Sequence, residues 1–257
     1  MILAILQARM SSSRLPRKVL KPILGKPMLA HQIERVLGSK LIDKLVVATS
    51  TDAMDDPIGS LCRQMDVDCY RGSLDNVLDR FYQCAKQFEP DTVVRLTGDC
   101  PLADPEIIDH TISYFLKNGF DYASNCGKET TFPDGLDLEV FIFEALETSW
   151  NKARLPSEKE HVTPYINQHP EIFNLGFYKG VEDLSALRWT VDEPRDFEFV
   201  TRVYEILYPE FPSFCTQDIL DLLKKNPEIM KINAGIERNE GLKKSFKQDE
   251  EYLKNAK

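Results

Sequence analysis

Ile2-Leu3-Ala4-Ile5-Leu6-Gln7-Ala8-Arg9-Met10-Ser11-Ser12-Ser13-Arg14-Leu15-Pro16-Arg17-Lys18 is the stretch that decides the fold. The apolar run Leu3 to Leu6 is too short for a helix and ends at a polar loop, which is the pattern of a strand buried on both faces. Such strands belong to parallel sheets, and the chain ahead repeats the motif. Leu45 to Ala48, Val67 to Tyr70 and Thr92 to Leu96 are further short apolar or β-branched runs, each followed by a polar stretch and a longer helical pattern. The helices have visible starts. Pro27 opens a segment through Leu37, Pro57 follows Asp55 and Asp56, and Val77, Phe81, Ala85 and Phe88 recur near the helical period. Alternating strands and helices predict an α/β fold, a doubly wound and mostly parallel sheet with helices on both faces. Ligands of such sheets bind beyond the carboxyl ends of the strands, so the loops after Leu6, Tyr70 and Leu96 are where a site is expected.

Beyond Phe120 the alternation loosens. Strands are expected at Asp121 to Ser124, Leu138 to Phe143 and Phe173 to Tyr178, adding the far edge of the sheet and a lid or dimerisation insertion. No repeat or linker divides the chain, so residues 1–236 are expected to form one domain. Residues 237–257 form a charged helical tail, packing one narrow stripe of Leu242, Phe246 and Leu253 on the body or on another subunit.

With 257 residues, 42% of them hydrophobic and 28% charged, the composition excludes a disordered chain, a collagen and a small disulfide scaffold. No apolar run approaches the roughly 18 residues of a membrane helix, and Met1 to Leu6 lacks the basic flank of a signal peptide, so a cytoplasmic protein is expected. Cys62, Cys69, Cys84, Cys100, Cys126 and Cys215 form no CxxC pair and are expected to be reduced and structural. The net charge of −9 argues against nucleic acid or a membrane as partner. That charge is unevenly spread: residues 1–35 carry +6 and residues 36–257 carry −15. A short basic segment on an acidic body suits a small polyanion such as a nucleoside triphosphate.

The loop after the first strand has the chemistry for that ligand. Its serines offer hydroxyl and backbone N–H donors to phosphate oxygens, and Arg9, Arg14 and Lys18 add fixed positive charge that would stabilise a leaving pyrophosphate. Pro16 stiffens the loop, reducing the ordering needed when an anion arrives. It is not a P-loop, because GxxxxGK[ST] is absent.

This signature, followed by Gly25-Lys26-Pro27-Met28-Leu29, resembles the amino terminus of the cytidylyltransferases that make CMP-activated acidic sugars, and most of all their spore coat polysaccharide biosynthesis branch. The likeness continues through Arg71-Gly72-Ser73, Arg95-Leu96-Thr97-Gly98-Asp99-Cys100-Pro101-Leu102, Pro133-Asp134-Gly135-Leu136-Asp137, Glu160-His161-Val162-Thr163-Pro164-Tyr165 and Arg188-Trp189-Thr190-Val191-Asp192. The resemblance implies transfer of CMP from CTP to an acidic sugar or a related carboxylate- or phosphate-bearing acceptor, with Mg²⁺ as cofactor and a homodimer as the assembly. It implies nucleotide contacts at Gln7, Ala8, Arg9, Ser12, Ser13, Arg14, Lys18, Arg71, Gly72, Ser73 and Thr97, with Arg14, Lys18 and Asp99 at the chemistry. Mg²⁺ is implied at Asp99 and Asp192, which follow Leu96 and the run Leu187 to Val191, each at an expected strand end. One departure is Arg17, where the family usually has glycine; a position requiring positive φ would cost arginine about 1 kcal/mol.

Acceptor contacts are expected at Asp134, Asp137, Glu139, His161 and Arg188. His161 could meet a substrate carboxylate or take a proton from the attacking hydroxyl, or be purely structural. Ser157 to Glu160 fits a helix capping box as well as it fits a site. Asp66-Val67-Asp68 matches the DxD of glycosyltransferases, but it begins an expected strand rather than ending one. Three rivals remain: a sugar-phosphate nucleotidylyltransferase using another triphosphate, whose usual GxGxR opening is missing here; a glycosyltransferase; and a nucleotide-binding subunit without activity.

Overall fold

A computed structural model of the chain describes residues 1–127, 129–238 and 240–255. Strand β1 (Ile2–Gln7) lies at the centre of the fold and has Leu3 to Leu6 wholly buried. Leu3 and Ile5 face one apolar cluster while Ala4 and Leu6 face another, so each side of the strand has its own core. Each such leucine or isoleucine contributes about 1.5–3 kcal/mol.

After a short hairpin of β2 (Pro22–Ile23) and β3 (Lys26–Pro27) come α1 (Met28–Val36), β4 (Lys44–Ser50), α2 (Asp56–Gln64), β5 (Asp68–Gly72), α3 (Val77–Phe88), β6 (Thr92–Thr97) and α4 (Pro105–Asn118). The remainder is β7 (Tyr122–Ser124), β8 (Glu139–Ile142), α5 (Phe143–Lys152), α6 (Pro156–His161), α7 (Pro164–Gln168), β9 (Leu175–Phe177), α8 (Pro194–Leu207), α9 (Thr216–Lys225) and α10 (Glu240–Asn255). The main sheet runs β5-β4-β1-β6-β8-β7-β9. The pairs β5/β4, β4/β1 and β1/β6 are parallel, whereas β8 runs antiparallel to both β6 and β7. One apolar cluster takes Ile33, Ile58 and Ile112 from α1, α2 and α4; the other takes Phe81, Leu146 and Ile166 from α3, α5 and α7. The mostly parallel, two-faced sheet expected from the sequence is therefore present, in a single domain.

Strand β5 begins later than the expected Val67. Asp66 adopts φ +55°, and the Val67 N–H bonds the Cys62 carbonyl at 3.0 Å, so Val67 finishes the turn out of α2 instead of starting the strand. Leu187 to Val191 is not a ladder strand either; it makes one isolated bridge, Asp134 with Arg188. A third cluster, built on Trp189, Val191, Phe199, Val203 and Phe214, fixes this segment under α8 and α9. On α10 the residues buried against the body are Ser245 and Asp249, while Phe246 and Leu253 are exposed on this chain. All six cysteines are free thiols. No described helix is long and apolar enough to cross a membrane.

From β1 the chain moves to β4 on one side, and later to β6 on the other. The sheet therefore reverses its winding between β1 and β6, where a crevice opens beyond the strand ends. Residues Ala8 and Gly98 meet there. A Cβ on Gly98 would lie 2.9 Å from the Gln7 carbonyl oxygen and 3.0 Å from the Ala8 Cβ, so only glycine lets the two strand ends approach.

Candidate active site

Three segments converge on that crevice: the loop after β1, the turn after β6, and the segment before α8. Val191 donates its N–H to the Asp99 carbonyl at 2.8 Å, which ties the second to the third. Asp134 clamps the third from below, its carbonyl accepting from Trp189 and Thr190 at 2.6 and 2.8 Å. Gly135, at φ +116°, makes this possible, because any Cβ there would lie 2.3 Å from the Thr190 nitrogen.

The result brings Asp99 and Asp192 to one point, and Lys18 occupies it. Its Nζ lies 3.0 Å from Asp99 Oδ2, 2.8 Å from Asp192 Oδ1 and 2.7 Å from the Val191 carbonyl. Burial alone would lower the Lys18 pKa, but the two carboxylates outweigh it and raise it. The same contest at Asp99, burial against Lys18 and Thr97, ends with its carboxyl held down at about 2. Arg14 reaches the other oxygen of Asp192 at 3.0 Å and also bonds Glu240 of α10 at 2.9 Å. Arg17 adopts φ +59°, the left-handed conformation in which glycine would be unstrained.

Asp192 is linked onward. Arg188 bonds Asp134 at 2.7 Å and Asp196 at 2.9 and 3.0 Å, and lies 3.4 Å from Asp192 Oδ2. Its side chain is only 8% exposed. With its donors directed to three carboxylates, Arg188 frames Asp192 and Asp134. Arg238 bonds Asp137 at 2.6 Å and approaches Asp134 at 3.7 Å. Burial, reinforced by Asp134 and Glu139, pushes the Asp137 carboxyl up to about 7 despite Arg238.

The other expected residues divide into groups. Glu139 is buried and holds Arg95, accepting also from Tyr122 and Thr163 hydroxyls at 2.6 Å each, which braces β8 against β6. Arg71 bonds the Ser50 and Asp52 carbonyls at 2.9 and 2.8 Å and Asp56 at 2.6 Å, sharing no partner with Lys18. Ser73 Oγ accepts from the Asn76 N–H at 3.0 Å, and Ser12 Oγ accepts from the Leu15 N–H at 3.3 Å. Ser13 is exposed. The Gln7 side-chain oxygen is buried without a partner, Ala8 joins the core, and the Thr97 carbonyl accepts from Gln32 at 2.7 Å. His161 Nε2 meets Ser245 Oγ at 2.9 Å, and Arg9 lies 4.0 Å from Glu160. The Asp66-Val67-Asp68 segment is at the opposite, amino end of its strand, where Asp68 pairs with Lys44.

The chain matches the family model described as cytidylyltransferase over residues 3–252. It belongs to the cytidylyltransferase family, and is therefore a nucleotidyltransferase. It is 38% identical to an uncharacterised protein of Methanocaldococcus jannaschii, over 97% of this chain and 99% of that one. It is 33% identical to the spore coat polysaccharide biosynthesis protein SpsF of Bacillus subtilis, over 88% and 95%. It is 32% identical to the 8-amino-3,8-dideoxy-manno-octulosonate cytidylyltransferase of Shewanella sediminis, over 68% and 72%. Among solved structures it resembles a cytidylyltransferase from Leptospira borgpetersenii with a TM-score of 0.86, at 33% identity, covering 92% of this chain and 99% of that one.

No sequence motif singles out Arg80, which sits beside the Ser73 turn. It lies in the first turns of α3, one residue before core Phe81, and is 1% exposed. It donates to the Ser73 carbonyl at 2.7 Å, while its Nε has no acceptor and no described carboxylate lies within ion-pair reach. Burial, with Arg9 nearby, lowers its pKa to about 10. Arg238 and Ser245 were missed as well, because both come from the tail.

Proposed function

We propose that the chain transfers CMP from CTP to an acidic sugar, or to a related acceptor bearing a carboxylate or phosphate, and releases pyrophosphate. One observation carries this reading: Lys18 sits between Asp99 and Asp192, so the basic loop and the two carboxylates share one crevice. Both aspartates and the Val191 carbonyl turn oxygens to a single cation, an all-oxygen set that suits Mg²⁺ when phosphate and water complete the shell. When bound, Mg²⁺ neutralises charge on the phosphate oxygens.

The chain's own residues do the rest. Arg14 and Lys18 release Asp192 and Asp99 and take phosphate oxygens, stabilising the leaving diphosphate. Arg9 and the Gly72-Ser73 turn border the nucleotide, and Arg238 with Asp137 and His161 border the acceptor. The acceptor oxygen attacks the α-phosphorus in line, with orientation and electrostatics supplying most of the acceleration. The names of the SpsF and octulosonate relatives support surface polysaccharide precursors as acceptors. The reading includes a homodimer, which the family resemblance implies, and a cytoplasmic location.

The test offers CTP, UTP, ATP and GTP to a panel of sugar acids, sugar phosphates and small phosphorylated acids, with Mg²⁺ or with EDTA, and measures pyrophosphate. Release with CTP, Mg²⁺ and a sugar acid is expected. Release with another triphosphate, or none with CTP across the panel, refutes the proposal.

A further inference from the structure

We infer that Ser245, brought by α10, is a positioning residue that fixes His161 as its Nε2–H tautomer and leaves Nδ1 to accept the proton of the acceptor hydroxyl. The inference rests on the CMP-transfer reading for the identity of that hydroxyl, but the tautomer follows from hydrogen bonding alone. Ser245 Oγ lies 2.8 Å from Glu160 Oε2, 2.9 Å from His161 Nε2 and 3.3 Å from the Gly241 carbonyl. A hydroxyl has one proton to give. The carboxylate and the carbonyl can only accept, so the serine proton goes to that side, at its shorter contact to Glu160. The lone pair left over must then meet a donor, which makes Nε2 the protonated nitrogen. The neutral ring keeps its lone pair on Nδ1, which has no partner among the described residues and is not sealed from solvent.

Two further features show that this ring is held. Ser245 is 2% exposed on a helix whose apolar Phe246 and Leu253 face outward, so α10 docks through polar groups. One turn on, Asp249 Oδ1 accepts the Ser157 N–H at 2.9 Å, capping the amino end of α6, whose last residue is His161. Directly after His161, buried Val162 adopts φ +72°, a conformation that costs a β-branched residue about 1–3 kcal/mol and persists where surroundings enforce it.

The ring faces Arg95 of β6, Glu139 of β8, Arg9 of the loop after β1 and Glu160 of its own helix. Burial, helped by Arg95, lowers its pKa against the pull of Glu160 and Glu139, so the neutral form prevails at pH 7. In the step itself the acceptor O–H bond breaks and its proton passes to Nδ1. The oxygen bonds the α-phosphorus, and the bond to pyrophosphate breaks with its electron pair. The imidazolium then returns the proton to water.

The test uses full-length protein labelled with ¹⁵N-histidine, with His161 assigned through His161→Gln and its tautomer read from long-range proton–nitrogen correlation spectra. The Nε2–H pattern is expected in the parent chain and in Ser245→Thr. Ser245→Ala should mix the tautomers. Glu160→Gln should also populate the Nδ1–H form, because a carboxamide can donate to Oγ and turn the serine proton toward Nε2. In both variants kcat should fall about tenfold, a part of what a general base supplies, with KM for CTP unchanged and activity recovered in Ser245→Thr. A parent spectrum showing Nδ1–H, or Ser245→Ala with parental tautomer and kcat, overturns the inference. An Nε2–H spectrum in a protein that releases no pyrophosphate from CTP with any acceptor overturns the CMP-transfer reading and leaves the tautomer assignment supported.

Discussion

Replacing Lys18 by methionine removes the one cation between Asp99 and Asp192 while keeping most of the side-chain volume. Both carboxylates are more than 70% covered and Lys18 is 10% exposed, so the remaining charges cannot simply turn to solvent. Removing one partner of a buried ion pair costs about 3–5 kcal/mol. For a chain of this size that is a fall in Tm of about 6–20 °C. The pH dependence has a definite sign. Asp99 has a folded pKa near 2, below its unfolded value, so the stability it contributes is present above about pH 4. That contribution is lost as pH falls toward 2. Because the lysine produces much of that depression, the deficit of Lys18→Met should be full at pH 7.5 and shrink below pH 4. Mg²⁺ at millimolar concentration should restore part of the lost Tm in the variant and EDTA should abolish the recovery. Turnover should fall about 10²- to 10³-fold, the scale for losing one preorganised charge-stabilising donor. Differential scanning fluorimetry across pH, with Mg²⁺ or EDTA, and a pyrophosphate assay measure all of this. A variant melting within 2 °C of the parent at pH 7.5 in EDTA, a loss of at most about 1 kcal/mol, would refute the placement of Lys18 at a shared charge centre.

Arg14 is pulled by Asp192 and by the largely exposed Glu240. Glu240→Gln should therefore lower KM for CTP by no more than about fivefold, given that exposed pairs are worth about 0–1 kcal/mol, while Arg14→Ala should reduce turnover by about 10²; steady-state kinetics separates the two. Asp137, with a folded pKa near 7, favours the protonated form, so the stability it contributes is present below about pH 4 and lost as pH rises through 7. Asp137→Asn should remove that decline, gaining about 1–2 kcal/mol relative to the parent at pH 8 but not at about pH 4, after allowance for its partial exposure and for Arg238; urea melts at the two pH values decide. Arg17→Gly relieves a left-handed arginine and should raise Tm by about 1–3 °C, the strain outweighing the greater freedom of unfolded glycine; a lower Tm would show that the Arg17 side chain contributes more than its backbone costs.

The strands were legible where burial on both faces forces an unbroken apolar run, as at Leu3 to Leu6. The crevice was legible because topology places it at the ends of β1 and β6. Side-chain partners were harder to see. Arg188 beside Trp189 shows no sign in the sequence of its pairing with Asp134, Asp192 and Asp196, which come from 54 residues away and from the turns that follow. Ser157 to Glu160 has the spacing of a capping box, but the helix starts at Pro156 with Leu155 as its N-cap, two residues earlier, and Glu158 bonds the Arg154 and Leu155 N–H groups instead. In α10 the apolar Leu242, Phe246 and Leu253 suggested the buried face. The helix docks with its polar side because the groups awaiting it, His161, Glu160 and the Ser157 N–H, need hydrogen bonds more than they need apolar cover.

The uneven charge of the chain has a physical meaning in this arrangement. The amino-terminal cations are not free; Arg14 and Lys18 are spent on Asp192 and Asp99. A triphosphate arriving alone must take those donors and strand two carboxylates, while a divalent cation arriving alone must displace Lys18. Each separate exchange leaves like charges facing one another, at a cost of about 4 kcal/mol per unscreened contact at 4 Å near a protein surface. When both arrive, phosphates would take the cations and the metal the carboxylates, so that neither set is left facing its own sign. Metal and nucleotide should therefore tighten one another's binding by the same factor, as linkage requires. On the CMP-transfer proposal, the ion pairs of Lys18 and Arg14 would thus select a metal–nucleotide complex over either component.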